Sequence, residues 1–311
     1  MQTMTTMAKA WDRVFKLSQN CFDEVVPVSD IAFDGIETMT IAGERHPVRP
    51  VCQHQIATRL GVPFSYLVRC PADLQNQNLS YWLAREKNEN LFIRFDGAEA
   101  RALFTERYTP VDNIRVLERL DELGFGADTK IQLSLDGEFM SLSIPDARKT
   151  FSVGNNDKMV PGISISNSEV GLSALSIAAF VLRLVCTNGM VAKTEISASY
   201  RHISAKIMDE FPAVMSKVAG ELDVQQHRFR LSLESGVDDP DATISSFNRQ
   251  FLLQANEIEA VTWAYPQEIT LPATMFNVVG CYTKASQAPG LSAESSHKLG
   301  RVGGAILAMV K

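Results

Sequence analysis

Long uncharged apolar runs are missing from this 311-residue chain. None reaches the roughly 18 residues that a membrane-spanning helix needs, so no such helix is expected. The opening residues, MQTMTTMAKAWDRVFKL, lack basic residues leading into a continuous apolar core, so a cytoplasmic location rather than secretion is expected. Cysteine is sparse and odd in number: Cys21, Cys52, Cys70, Cys186 and Cys281 are scattered, and none forms a CxxC pair. Reduced, mostly buried thiols follow from that pattern. Cys52 and His54 have metal-like spacing, but two ligands do not make a site. The five histidines (His46, His54, His202, His227, His297) lie far apart. Walker, HExxH, GxSxG and EF-hand patterns are absent, and the GRVGG run at Gly300–Gly304 follows no strand pattern. No cofactor, no metal and no catalytic residue are therefore expected. Excess positive charge is lacking too. Thirty Lys and Arg face 36 Asp and Glu, net −6, which excludes a uniformly basic coat for nucleic acid.

What is present is ordinary globular chemistry, 45% hydrophobic and 21% charged, without repeats or low-complexity tracts. Ala8 to Asn20 reads as an amphipathic helix and Val25 to Val28 as a short strand; HQIATRL and the following GVPFSYLVRC read as two short helices around a Gly-Val-Pro break. Two Asp-Gly pairs join alternating runs, the signature of hairpins. In NLFIRFDGAEARALF a two-residue loop pairs Phe95 with Ala98 and Arg94 with Glu99. In KIQLSLDGEFMSLSI it pairs Leu133 with Met140, and Gln132, Ser134 and Ser141 take the other face. Between them TPVDNIRVLERLDELGFG reads as a helix, with Pro110 near its start and Gly124 as its stop. GLSALSIAAFVLRLVC fits a buried strand or a helix; Ile177, Val181 and Val185 tip it toward strand. From about residue 204 the patterns are helical, as in SAKIMDEFPAVMSKVAGEL, DATISSFNRQFLLQANEIEAV and SAESSHKLGRVGGAILAMV. The expected fold class is α+β: an antiparallel sheet of hairpins packed on helices, with a core at 1–205 and a helical region at 206–311 packed on it.

Three polar islands remain. ARALFTERYTPVDN holds Arg101, Arg107, Tyr108, Asp112 and Asn113, where arginine and tyrosine suit phosphate contact and base stacking, or else an Arg–acid pair at a helix start. FSVGNNDKMVPGISISNSEVG holds Gly154 in one turn and Asn167, Ser168, Glu169 and Gly171 in another. Those residues suit ion coordination or ordering of a partner's backbone, or else a buried hydrogen-bond network. RLVCTNGMV places Cys186 beside an Asn188-Gly189 turn, with Arg183 near and no adjacent His to serve as base, which favours a structural thiol.

Taken in order, these islands resemble the phage/plasmid-like protein family, a domain-of-unknown-function family of phages, plasmids and bacteria. The resemblance covers roughly residues 50–205. Asn155-Asn156 departs from the Gly-Asp common there, with Asp157 as the residue that could substitute. The resemblance implies a mobile-element setting. At the level of fold alone, hairpins on a helix are similar to phage single-strand annealing proteins, which assemble as rings or filaments on DNA. The leading expectation is a non-enzymatic, self-associating protein that binds single-stranded DNA in recombination or replication. Arg94, Arg101, Arg107, Arg183, Lys193 and Arg201 would meet phosphate, and Tyr108 or Tyr200 would stack bases. The alternatives are a scaffold or host-interaction protein, or an enzyme using Cys186 or Asn167 and Glu169. The apolar end LGRVGGAILAMVK suits an interface as well as a core.

Overall fold

A computed structural model describes residues 3–153, 157–184, 190–199, 209–213 and 222–310. The fold is α+β. Strand β1 (Thr3–Thr6) leads into helix α1 (Met7–Ser18), and Thr6 caps it by accepting from the Lys9 amide. Next come β2 (Cys21–Pro27), a meander of β3 (Ile31–Phe33), β4 (Thr38–Ile41) and β5 (Glu44–Pro47), and then α2 (Pro50–Arg59), α3 (Phe64–Leu67) and α4 (Ala72–Leu83). The hairpin β6 (Asn90–Asp96) and β7 (Glu99–Thr105) is followed by α5 (Asn113–Glu122). The hairpin β8 (Lys130–Leu135) and β9 (Met140–Pro145) leads to β10 (Phe151–Val153), β11 (Asp157–Asn167), β12 (Ser176–Leu184) and β13 (Met190–Ser199). The C-terminal part comprises α6 (Leu222–Glu234), β14 (Gly236–Val237), α7 (Pro240–Gln250), α8 (Ala255–Glu268), β15 (Ala273–Thr274), α9 (Met275–Ala285) and α10 (Ala293–Met309).

The largest sheet runs β1-β8-β9-β11-β12-β13, with β10 added on β11, and all its pairings are antiparallel. One face carries Ile131, Leu133, Leu142, Ile165 and Ile177, and buries them against Met7, Ala10 and Val14 of α1 and Val116, Leu117 and Leu120 of α5. Each such side chain contributes about 1.5–3 kcal/mol by leaving water. A second core joins α2 and α4 to the β2-β6-β7 sheet and the meander. A third sets Phe229, Ile244, Val261, Phe276, Tyr282, Leu299 and Ile306 of the C-terminal helices on Val153, Met159 and Val181 of the large sheet. The apolar end of the chain belongs to this core. Gly303 lets α10 approach α9 so closely that a Cβ there would stand 2.6 Å from Thr283 Cγ2.

The uncertain run is a strand, β12, as its β-branched residues favoured. The helix after Pro110 is α5, and Gly124 follows it at φ +89°, a left-handed stop. Both hairpins form, but in another register. Phe95 pairs with Ala100 and Arg94 with Ala102, around a Gly97-Ala98 loop whose leading glycine has φ +57°. Arg101 is the extra residue of a bulge between those pairs. In the second hairpin Leu133 pairs with Leu142. There Asp136 accepts from the Glu138 and Phe139 amides and so lengthens the turn. In the second hairpin this shift of two residues keeps every side chain on its expected face; in the first the bulge makes it three beyond Arg101, which moves Ala102 to the face of Arg94. Gln132, Ser134 and Ser141 do share a face, but they are buried, and Ser141 Oγ lies 3.4 Å from Nδ1 of His297 on α10. The run DATISSFNRQFLLQANEIEAV is two helices, broken where Leu252 takes φ +49° and a Gln254/Glu257 capping box opens α8.

Gly162, in the centre of the large sheet, has no room for a side chain. A Cβ there would collide with the Ile144 carbonyl oxygen and meet Phe180 Cε1 at 2.5 Å. Gly162→Ala is expected to cost about 1–3 kcal/mol by overpacking, read as a lower midpoint in urea denaturation. An unchanged midpoint would show that β11 and β9 are not packed as described.

Candidate functional site

The first two polar islands come together at one place, the end of β11. Glu169 stands at its centre. Its Oε2 accepts from Arg101 Nη1 at 2.8 Å, and its Oε1 accepts from the Asn113 amide at 2.7 Å. That amide is one of the orphan donors at the start of α5, so a carboxylate distant in sequence caps the helix. The Glu169 carbonyl accepts from Arg94 Nη1 at 3.0 Å and from Tyr108 Oη at 3.5 Å. Arg94 also forks onto Asp23 (2.8 and 3.1 Å) and reaches Asp112 Oδ1 at 2.5 Å. Burial acts to lower the Arg94 pKa, but its bonds to Asp23 and Asp112 outweigh it and hold the guanidinium above its ordinary value. Burial likewise pushes the Tyr108 phenol up to about 12.

The segment after Glu169 is strapped from several sides. Asn167 Nδ2 donates to Val111 O (2.8 Å) and Asn113 Oδ1 (2.9 Å). Ser168 Oγ donates to Glu138 O at 2.7 Å and accepts from the Leu172 amide. Gln55 of α2 donates to Val170 O and accepts from the Leu103 amide, both at 2.8 Å. Gly171 has φ +83°, and a Cβ on it would stand 2.8 Å from Phe104, whose ring stacks on Tyr108 at 3.8 Å and 3°. Arg94, Arg101, Asn167, Ser168 and Glu169 are all buried. Two cavities adjoin this loop and share Leu172. One of 500 Å³ lies by His54, Gln55, Arg59 and Phe104, and one of 320 Å³ lies by Phe139, His297 and Arg301.

This placement corrects part of the expected phosphate surface. Arg94 and Arg101 are enclosed and committed to carboxylates, and Tyr108 is half-buried against Phe104, so none of the three presents a free face. Asp112 turns its side chain to Arg94 instead of capping α5. Arg107 is exposed. Arg183 is half-buried, 3.5 Å from Glu268 and 4.5 Å above the Phe276 ring. Lys193 stands opposite Phe180 in the β12–β13 ladder. Gly154, Cys186, Asn188, Gly189, Tyr200 and Arg201 lie outside the described residues. Cys52 and Cys281 are deeply buried, which pushes both thiols up to about 12, far from a nucleophile's range. The His54 ring lies 3.7 Å from that of Phe64, tilted by 36°. Among the described residues no group of three or more His, Cys, Asp or Glu side chains is placed to hold a metal ion, and no helix is long and apolar enough to cross a membrane.

One exposed surface had no local signal in the sequence. On α4, Tyr81 and Trp82 are 53% and 44% exposed and meet edge to face at 5.2 Å. One turn on, the Arg85 guanidinium lies 3.6 Å over the Tyr81 ring. Leu74, two turns earlier, is also exposed.

Residues 102–244 match a family model described as "Domain of unknown function (DUF932)". The match runs from β7 into α7. It takes in Tyr108, Asn113, Asn167, Glu169 and Gly171, whereas Arg94 and α4 lie before it. No curated protein and no solved structure matches the chain.

Glu169→Ala removes the acceptor of both Arg101 and the Asn113 amide, leaving a buried charge and a buried donor unpaired. The expected cost is about 3–5 kcal/mol in chemical denaturation, with the double replacement Arg101→Met/Glu169→Leu costing less than Glu169→Ala alone. A loss below about 1 kcal/mol would place the pair in water instead.

Proposed function

We propose that the chain is a non-enzymatic, self-associating protein that binds single-stranded DNA in recombination or replication, in the setting of a phage or plasmid. The exposed surface of Tyr81 and Trp82 at the end of α4, with Arg85 just beyond the helix, carries this reading. Single strands are held without sequence preference by flat rings that stack on bases and by cations that meet the backbone, and the end of α4 with Arg85 just beyond it offers both. In this proposal Arg107, Lys193 and Arg201 supply further phosphate contacts and Tyr200 a further stacking ring, while Arg94 and Arg101 serve the interior. The mobile-element setting rests on the resemblance of the three linked polar segments. Self-association draws its support from β2, which pairs only with β6 among the described residues. It exposes Phe22 (49%) and Val25 (51%), and Met4, Phe15 and Leu17 are exposed on neighbouring elements. An edge strand of this kind is a template for a second chain.

A scaffold or host-interaction role is the second reading. Leu252 and Leu271, both 81% exposed, favour it as apolar anchors for a protein partner. An enzyme acting through Asn167 and Glu169 draws little support, because those side chains are occupied in fastening the loop to α5 and β7.

In anisotropy titrations with a labelled oligothymidylate, binding is expected to weaken with salt. Tyr81→Ala/Trp82→Ala should weaken it by about tenfold or more, from the roughly 1–3 kcal/mol of each base–ring stack. Equal binding by the double variant removes α4 from the reading; no salt-dependent binding by the parent protein removes the reading itself. Light scattering is expected to show more than one copy per particle and a shift to monomer for Val25→Lys. A strictly monomeric parent protein would rule out assembly.

A further inference from the structure

Leu79 and Leu83 fasten α4 to the second core, whereas Tyr81, Trp82 and Arg85 are exposed. Arg85 follows the C-cap residue Ala84, and its Nη1 donates at 2.8 Å to the carbonyl of Tyr81, one of the last four of the helix. The same guanidinium lies 3.6 Å over the Tyr81 ring, so one face of that ring is covered. These two contacts orient Arg85 without neutralising it. A cation–ring contact uses the flat face of a guanidinium and leaves the N–H groups along its edge to other acceptors. Among the described residues no carboxylate pairs with Arg85, whereas Arg49, Arg94 and Arg101 are each held by Asp or Glu. Glu86, the next residue, commits its carboxylate to Arg59, to the Lys87 and Asn88 amides and to Asn88 Nδ2. Lys87 adds an exposed cation and Glu89 an exposed acid. Trp82 differs from its neighbour: it meets Tyr81 edge to face, and no cation among the described residues lies over its ring.

We infer that Trp82 stacks one base of a strand, that Arg85 holds the adjoining phosphate, and that Tyr81 is a positioning residue that acts on the strand through Arg85. This rests on the reading of α4 as a single-strand surface and assigns a separate part to each of its three side chains. A ring with a guanidinium on one face is a poorer platform for a base than a ring with no cation on it. A guanidinium held by its flat face presents its edge, and the edge is what matches two oxygens of one phosphate. Spacing of three residues sets Trp82 and Arg85 side by side at the end of the helix, so one base and one phosphate are met together.

Anisotropy titrations of the full chain with labelled oligothymidylate over a range of salt read both affinity and salt slope for a set of variants. Arg85→Ala is expected to weaken binding by about tenfold, the worth of one charge-assisted contact. It should also lessen the salt slope by about 0.7, the share of one phosphate on a single strand. Tyr81→Ala should move both quantities in the same direction by a smaller amount. Tyr81→Ala/Arg85→Ala should bind no more weakly than Arg85→Ala alone, since the ring acts through the guanidinium. Tyr81→Phe, which keeps the ring, should bind like the parent protein. Trp82→Ala should weaken binding by about tenfold at an unchanged slope, and its loss should add to that of Arg85→Ala. Strand binding should quench the tryptophan emission of the parent but not of Trp82→Phe, in which Trp11 and Trp263 remain. All three side chains are exposed, so equal midpoints in urea are expected for every variant. Losses of Tyr81→Ala and Arg85→Ala that add, or quenching that survives in Trp82→Phe, overturn the inference while the strand reading stands. A parent protein without salt-dependent binding overturns both.

Discussion

Two arginines taken out of water set the terms for the middle of this protein. Arg94 and Arg101 leave β6 and β7 on the same side, because a bulge sets Arg101 beside Ala102 opposite Arg94. An unpaired guanidinium in that position would cost several kcal/mol, so the surrounding chain must bring acceptors to it. Asp23, Asp112 and Glu169 arrive from three separate elements to do so. Glu169 satisfies a second demand at the same time, since its other oxygen caps the start of α5. The β2-β6-β7 sheet, α5 and the end of β11 are therefore joined by charge where an apolar seam would otherwise have to form.

This division of labour accounts for the position of the cavities. The loop after β11 is pinned by Gln55, Ser168 and Glu169, with Leu172 standing between two hollows. A wall held by many hydrogen bonds keeps its shape. Arg94, Arg101, Asn167, Ser168 and Glu169 are thus supports. Exposed rings and apolar side chains are carried instead by α4 and the outer strand β2.

Much of the fold was legible because it rests on local rules. The Asp-Gly pairs marked two hairpins, the 3.6-residue spacing of Leu117 and Leu120 with Gly124 marked α5, and β-branched residues marked β12. Register was less legible. An Asp136 side chain that caps its own turn shifts each partner by two and leaves the alternation intact, whereas the bulge at Arg101 makes the shift three and reverses the faces beyond it. The meander, α4 and α9 were missed, because short strands and helices with weakly one-sided burial leave little periodic trace. The buried serine face is a related case: Ser134 and Ser141 alternate like solvent-facing residues, yet both are buried.

By itself, then, the sequence determined the class of the fold, the sites of most turns, and the grouping of polar residues into three islands. Local sterics and period-two or period-3.6 patterning suffice for that. Only the tertiary structure decided that Arg94 and Arg101 face inward. Whether a guanidinium meets solvent or a carboxylate depends on residues such as Asp23 and Glu169, which lie 71 and 68 positions from their partners. Only the tertiary structure, likewise, set Tyr81, Trp82 and Arg85 outside and gathered Phe139, Phe251 and His297 around one cavity. Burial and long-range charge pairing belong to the packed chain as a whole, and no stretch of sequence carries them alone.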